Sequence, residues 1–312
     1  MSLPTVSIII PTYNCALYIA ETIASILNQS FKDIELIVVD DGSTDATRDI
    51  VASFGSSVRL VTQANAGVCV ARNRGIREAA GKYICLMDHD DYWFPHKLAR
   101  QISMLEQQPE TGVVYSSFIL WHRDESGGQF PSPNTFDLNS YSDDTVPEFS
   151  GWIYHQFLID CWMLTSTAMF RAEIFDQCGL FDESLPYSED WELWLRISHS
   201  YPFVQLRRPT TLYRQHAHQG NRLARDIDYR TRLLQDAVKK WGLCSRDGRC
   251  VTRQAFNRQL AIYHSAFALG HLRAGNKKLA ITSLLKSWTT YPRNIRPLGY
   301  LSAAFLGWKP GW

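Results

Sequence analysis

The chain has 312 residues, 45% of them hydrophobic and 12% aromatic, enough apolar material to bury a sizeable core in one large domain or two smaller ones. Its 32 Lys and Arg against 31 Asp and Glu leave a net charge of +1, which excludes a whole-molecule field that would recruit nucleic acid, so an anionic ligand must be met locally. No apolar run reaches the roughly 18 residues of a membrane span.

Short runs rich in Val, Ile and Leu at 6–10, 35–39, 57–61 and 82–87 read as strands, and longer segments of helical spacing separate them. The first run begins too soon, and with too little charge before it, for a signal peptide. Strands alternating with helices predict βαβ units and a parallel sheet covered on both faces. Ligands of open α/β sheets bind beyond the carboxyl ends of the strands, and the residues there are unusually polar. Pro11-Thr12-Tyr13-Asn14 follows the first run, Asp40-Asp41-Gly42-Ser43-Thr44-Asp45 the second, and Asp88-His89-Asp90-Asp91 the fourth. Three such turns on one edge make a pocket. Alternate carboxylates where a buried strand ends suit a hard divalent cation, which can in turn hold a diphosphate. The competing account is that Asp favours turns, and that a helix beginning near Pro95 needs N-terminal partners.

Residues 121–150, rich in Ser, Asp, Pro and Gly, predict a long irregular excursion of the kind that forms lids or acceptor-side loops. Farther on, Ser188-Glu189-Asp190-Trp191 predicts a helix start with both acids in the first turn, where acids are favoured in any case. Helical spacing then dominates 226–241, 252–273 and 276–288, punctuated by Gly275 and Pro292. Ala266 to Pro292 has the outline of one tetratricopeptide-like hairpin, against an ordinary pair of packed helices. The expected division is an α/β domain over 1–222 and a helical extension over 223–312. The seven cysteines form no Cys-x-x-Cys pair, so free thiols, a reducing compartment and a cytoplasmic location are expected.

Five motifs in this order resemble the inverting, nucleotide-sugar-dependent glycosyltransferases of family 2, with the GT-A fold: Val6 to Asn14, Val38 to Asp45, Asn65-Ala66-Gly67 with Ala71-Arg72-Asn73-Arg74-Gly75, Leu86 to Asp91, and Ser188 to Arg196. The resemblance covers roughly residues 5 to 220 and implies an α/β mixed sheet flanked by helices, a Rossmann-like nucleotide-binding core. It implies that Pro11, Thr12, Tyr13, Asp40 and Asp41 hold the nucleotide, and that Asn65, Gly67, Arg72 and Asn73 lie near the nucleotide or its diphosphate. An aromatic ring can lie against a pyrimidine, a carboxylate can accept from base or ribose, and Arg suits a phosphate. By the same resemblance Asp90 ligates Mg2+ or Mn2+, Asp88 contacts the ribose or the metal, His216 lies close to the diphosphate or metal, and Glu189 belongs to the donor site. Asp190 is then the base that takes the acceptor hydroxyl's proton. His89 departs from the small residue often found between the two Asp residues, and strand alternation points it away from the metal.

The activity implied is inverting transfer from a nucleoside-diphosphate sugar, UDP-linked by preference with dTDP or GDP as alternatives, to a saccharide or lipid-linked acceptor in cell-surface polysaccharide biosynthesis. A dehydrogenase is disfavoured because the first turn lacks Gly-x-Gly-x-x-Gly, and a P-loop because Gly75 to Gly81-Lys82 has one residue too many. A nucleotidyltransferase and a non-catalytic module that binds a nucleotide sugar or docks a partner remain open. The apolar, aromatic tail from Leu298 to Trp312 suits peripheral contact at the inner face of a membrane, or packing on the domain or on a second subunit of a homo-oligomer.

Overall fold

The structure is a computed structural model that describes residues 3–124, 127–216 and 225–305. It divides into two compact units, residues 1–153 with 161–217, and residues 154–160 with 218–312.

In the first unit the predicted runs become β1 (Val6–Thr12), β2 (Ile34–Asp40), β3 (Arg59–Thr62) and β4 (Tyr83–Leu86), separated by α1 (Ile19–Leu27), α2 (Thr47–Ala52) and α3 (Val68–Glu78). These four strands are parallel, as the βαβ pattern requires. The sheet does not stop there. The chain adds β5 (Tyr92–Trp93), α4 (Lys97–Gln107), β6 (Val113–Trp121), β7 (Met169–Arg171), α6 (Glu173–Cys178), α7 (Glu189–Ser200) and β8 (Phe203–Arg214), and a short α5 (Tyr154–Phe157) of the second unit falls between β6 and β7. Among the described residues the strand order is β3-β2-β1-β4-β7-β6-β8-β5. The sheet is mixed, as the family resemblance implied, because β7 runs antiparallel to both β4 and β6; the apolar runs of the first half show only its parallel part.

Alternation of side chains explains the layers. Val6, Ile8 and Ile10 of β1, with Leu36 and Val38 of β2, face the same core as Ile19, Ile23 and Ile26 of α1 and Leu98 and Leu105 of α4. Ile9 points to the other face, where α3 lies so close that a Cβ on Gly75 would come within 2.3 Å of Ile9 Cγ2. Register then aligns the polar turns: β1 pairs residue for residue with β2, so that Thr12 lies opposite Asp40. Met87 N–H continues the β4 pairing to Ile9 C=O at 2.9 Å, and Asp88 therefore emerges on the same edge.

The second unit continues with α8 (Tyr229–Trp241), α9 (Arg253–Arg273), α10 (Lys277–Thr290) and α11 (Arg296–Phe305). Asp228 caps α8 and Thr252 caps α9, each accepting a backbone N–H of the first turn. Ala268 and Leu272 of α9, Ala280 and Leu284 of α10, and Leu301 and Ala304 of α11 share a small core. Ser283 and Ser287 of α10 donate to the His264 and Ala261 carbonyls of α9 at 2.9 and 2.7 Å. The all-thiol expectation is corrected here: Cys244 and Cys250 form a disulfide across a tight turn, a pairing that a scan for Cys-x-x-Cys misses because five residues intervene. Cys15, Cys69 and Cys85 keep buried thiols. No helix among the described residues is long and apolar enough to cross a membrane, and residues 306–312 of the proposed membrane-facing tail lie outside the described residues.

Replacing Gly75 with Val should cost about 1–3 kcal/mol, because β1 and α3 must part to admit the side chain. Denaturant unfolding monitored by circular dichroism should show the midpoint falling.

Candidate active site

The turns after β1 and β2 are stitched together before any ligand is considered. Asp41 N–H donates to Thr12 C=O at 2.8 Å. Asn14 takes a left-handed φ of 48°, which lets its Oδ1 accept from Thr44 N–H at 2.8 Å while its own N–H donates to Ser43 Oγ at 2.9 Å. Asp40 is buried, accepts from Ser43 N–H and faces Arg48 Nε at 3.3 Å. Asp41 Oδ1 accepts from Gln63 Nε2 at 2.8 Å and Ala66 N–H at 2.9 Å, and its Oδ2 from Gly67 N–H at 2.8 Å. Asp41 thus ties the turn after β2 to the loop after β3. Tyr13 is 45% exposed, with Asn65 and Gly67 exposed beside Asp41's acceptor oxygens. Thr12 Oγ1 is buried and has no hydrogen-bond partner among the described residues.

An acid of the turn after β4 and an acid of α7, far apart in sequence, meet on Arg72. Its Nη2 donates to Asp88 Oδ1 and its Nη1 to Glu189 Oε1, both at 2.8 Å, and the guanidinium lies 5.1 Å from the Phe181 ring centre. Arg72 is only 5% exposed. Its neighbour Asn73 is fully engaged by the approach to α7: Nδ2 donates to Phe181 C=O at 2.9 Å and Glu183 Oε1 at 2.8 Å, and Oδ1 accepts from Phe181 N–H at 2.9 Å. The amide of Asn73 and the two Nη groups of Arg72 thus serve protein acceptors. Asp190, next to Glu189, accepts from Trp191 N–H at 2.7 Å. Burial, followed by the charge of Glu189, pushes its carboxyl up to about 7 against the opposing pull of Arg72. Ser188, just ahead of α7, is the other non-glycine residue with positive φ, at 59°, among the described residues. Strained backbone of this kind collects where geometry is imposed for a purpose.

Asp90 and His216 form the third element, with His216 Nε2 2.7 Å from Asp90 Oδ2. Burial alone would raise the Asp90 carboxyl, but the His216 hydrogen bond and the charge of His89 bring it below its ordinary value. Beneath the pair, Asp91 is wholly buried, accepting from Ser166 Oγ at 2.6 Å and Arg214 N–H at 3.2 Å. Ser166 Oγ also accepts from Asp88 N–H at 3.0 Å, and Arg214 Nε donates to Asp90 C=O at 2.6 Å. Desolvation, then the charges of Asp90 and Asp88, push the Asp91 carboxyl well up.

A family model described as glycosyl transferase family 2 matches residues 7–161. The Escherichia coli protein UDP-Glc:alpha-D-GlcNAc-diphosphoundecaprenol beta-1,3-glucosyltransferase WfaP is 35% identical over 217 residues, which is 68% of this chain and 78% of that protein. The chain belongs to glycosyl transferase family 2. An uncharacterized glycosyltransferase of Rickettsia typhi is 36% identical over 202 residues, 64% of this chain. The chain spans 61% of that relative's length. Among solved structures, S. aureus TarS 1-349 in complex with UDP-GlcNAc superimposes with a TM-score of 0.64 at 19% identity, covering 97% of this chain and 88% of that one. The eight-stranded mixed sheet is that of the GT-A glycosyltransferases.

The sequence points to these acids but not to the residues that hold them. Gln63, Ser166 and Arg214 carry no periodic or spacing signal; the one clue is that Thr165-Ser166-Thr167 is a polar triplet inside an otherwise apolar stretch. Ser166→Ala should leave Asp91 with one hydrogen bond fewer in a dry setting and cost about 1–3 kcal/mol, readable as a lowered urea midpoint.

Proposed function

We propose that this chain is a metal-dependent inverting glycosyltransferase that moves a sugar from a UDP-sugar to a hydroxyl of a saccharide or lipid-linked acceptor in cell-surface polysaccharide assembly. One observation carries the reading: a single buried guanidinium joins Asp88 of the fourth turn to Glu189 beside Asp190, so a donor-binding turn and a proton acceptor share one site. A module that only bound a nucleotide would have no use for the second. In this reading residues 1–222 form the transferase domain and residues 223–312 the helical extension.

On the donor side, Tyr13 lies against the base and the Thr12 hydroxyl supplies a hydrogen bond to the nucleoside, with Pro11, Asn65 and Gly67 completing the wall that Asp40 and Asp41 shape. TarS, which shares the fold, is known in complex with UDP-GlcNAc, and WfaP, by its name, takes UDP-Glc and a diphosphoundecaprenol-linked acceptor; both support the choice of UDP and of a lipid-linked acceptor.

Asp90 and His216 offer one carboxylate and one imidazole to Mg2+ or Mn2+, with Asp88 beside them, and among the described residues no cluster of three or more His, Cys, Asp or Glu is arranged to hold an ion by itself. Such a donor set fits an ion completed by the diphosphate and water. When bound, the cation would offset charge growing on the departing nucleoside diphosphate. Asp190 accepts the proton of the acceptor hydroxyl, whose oxygen forms a bond to the anomeric carbon as the bond to the diphosphate oxygen breaks and that oxygen keeps the electron pair. The sugar inverts without a covalent enzyme intermediate.

Asp190→Asn should retain UDP binding and lower turnover by about 10²–10⁴-fold; equal loss of binding and transfer would remove Asp190 from the role of base. Because the Asp190 carboxyl is raised to about 7 and accepts a proton only when ionised, kcat/KM should fall about tenfold per unit of acidification below 7 and level off above it. Calorimetric titration with UDP, dTDP and GDP, in Mn2+ and then in chelator, should give metal-dependent binding of UDP in preference to the others. Absence of binding to all three would favour a module that does not handle nucleotide sugars.

A further inference from the structure

The net charge of +1 hides a steep partition. Residues 1–224 carry 16 Lys and Arg against 27 Asp and Glu, whereas residues 225–312 carry 16 against four. From Gly248 to the C-terminus there are ten Lys and Arg and not one Asp or Glu. On α9, α10, α11 and the turns joining them, Arg258, Arg273, Lys277, Lys278, Lys286, Arg293 and Arg296 are all exposed.

Large aliphatic side chains are interleaved with these cations on the outside: Ile262 is 44% exposed, Leu285 46%, Ile295 71% and Leu298 37%. Packing among the three helices does not account for them, since their shared core is formed by other residues, Ala268, Leu272, Ala280, Leu284, Leu301 and Ala304. Helical spacing puts Arg258 and Ile262 on one stripe of α9, four residues apart, and Lys278, Leu285 and Lys286 on the outward side of α10.

We propose that the outer face of the α9–α11 helices docks on an anionic lipid bilayer. Basic side chains without intervening acids are attracted to anionic headgroups, and Leu and Ile between them can enter the boundary between headgroups and acyl chains. A nucleic acid would be met by the same cations but gives exposed aliphatic side chains no counterpart in its phosphate backbone. The proposal deepens the reading of a lipid-linked acceptor and rests on it for its purpose, because a catalytic domain tethered at the bilayer meets such an acceptor in two dimensions.

The test is sedimentation of the full chain with vesicles of phosphatidylcholine alone and with about one-third phosphatidylglycerol, at low salt and at about 0.5 M salt. Binding to the anionic vesicles should exceed binding to neutral ones by at least tenfold and should fall with salt. Lys277→Gln, Lys278→Gln and Lys286→Gln combined should weaken it by at least tenfold, on a scale of about fivefold per cation lost. Arg258→Gln with Arg273→Gln gives an independent reading from α9, and far-UV circular dichroism reports whether the helices persist in each variant. Equal partition into both vesicle types, no partition into either, insensitivity to both sets of substitutions, or a preference for duplex DNA over anionic vesicles would overturn the proposal. UDP titration of the same samples separates the two readings: lost vesicle binding with intact UDP binding sinks only the docking face, and the reverse sinks only the donor site.

Discussion

The site depends on the burial of one guanidinium. Arg72 is almost fully removed from water, and a cation so placed is tolerated only if its charge is met, since breaking a buried pair from one side costs about 3–5 kcal/mol. Asp88 and Glu189 meet it from two places far apart in the chain. The close contact of α3 with β1 at Gly75 fixes where the guanidinium falls, because Arg72 lies three residues earlier on the same helix face. The same geometry puts the start of α3 at the carboxyl edge of the parallel strands. A packing requirement in the core thus decides where two acids of the surface pocket must stand.

The acids that follow Leu86 divide their work by depth. Asp88 turns to Arg72 and Asp90 to His216, while Asp91 goes inward and is held by Ser166 and the Arg214 backbone. Ser166 also takes the Asp88 N–H, so a single hydroxyl orients the turn from below. Arg214 adds its side chain to the Asp90 carbonyl, with its guanidinium 3.9 Å from the Trp121 ring centre and 4.6 Å from that of Phe130. Phe130 belongs to the long irregular excursion after β6. The excursion and the acidic turn therefore both contact one arginine, and the position of such acids is fixed by partners of this kind.

How much of this could be read from the sequence follows from the range of each signal. Strands β1, β2 and β4 were legible because burial leaves a nearly unbroken apolar run, and the polar turns because several of them follow such runs on one edge. The start of α7 at Glu189 was legible from its acids. The antiparallel half of the sheet was not: β7 is three residues long and β8 carries Arg207, Arg208 and Pro209 in its middle, so neither shows the period of a strand. The direction of a polar side chain is beyond a motif altogether. The donors of Arg72 and Asn73 go to protein acceptors that come from residues 88 and 181–189. Charge was legible but averaged away, since a total of +1 conceals an acidic segment over 1–224 and a basic one over 225–312.

That partition bears on the donor as well. On the reading proposed above, a diphosphate entering the site meets Asp88, Asp90 and Glu189, within residues 1–224 that hold 27 acids against 16 cations. The two arginines nearest these acids are already paired, Arg72 with Asp88 and Glu189, and Arg214 with Glu21. Fixed side-chain charge therefore opposes an anionic ligand rather than attracting it. On the reading proposed above, the positive charge must come with the ligand as a divalent cation. The acidic surplus then has a use: it keeps the site hostile to a bare nucleotide and receptive to one that carries its metal.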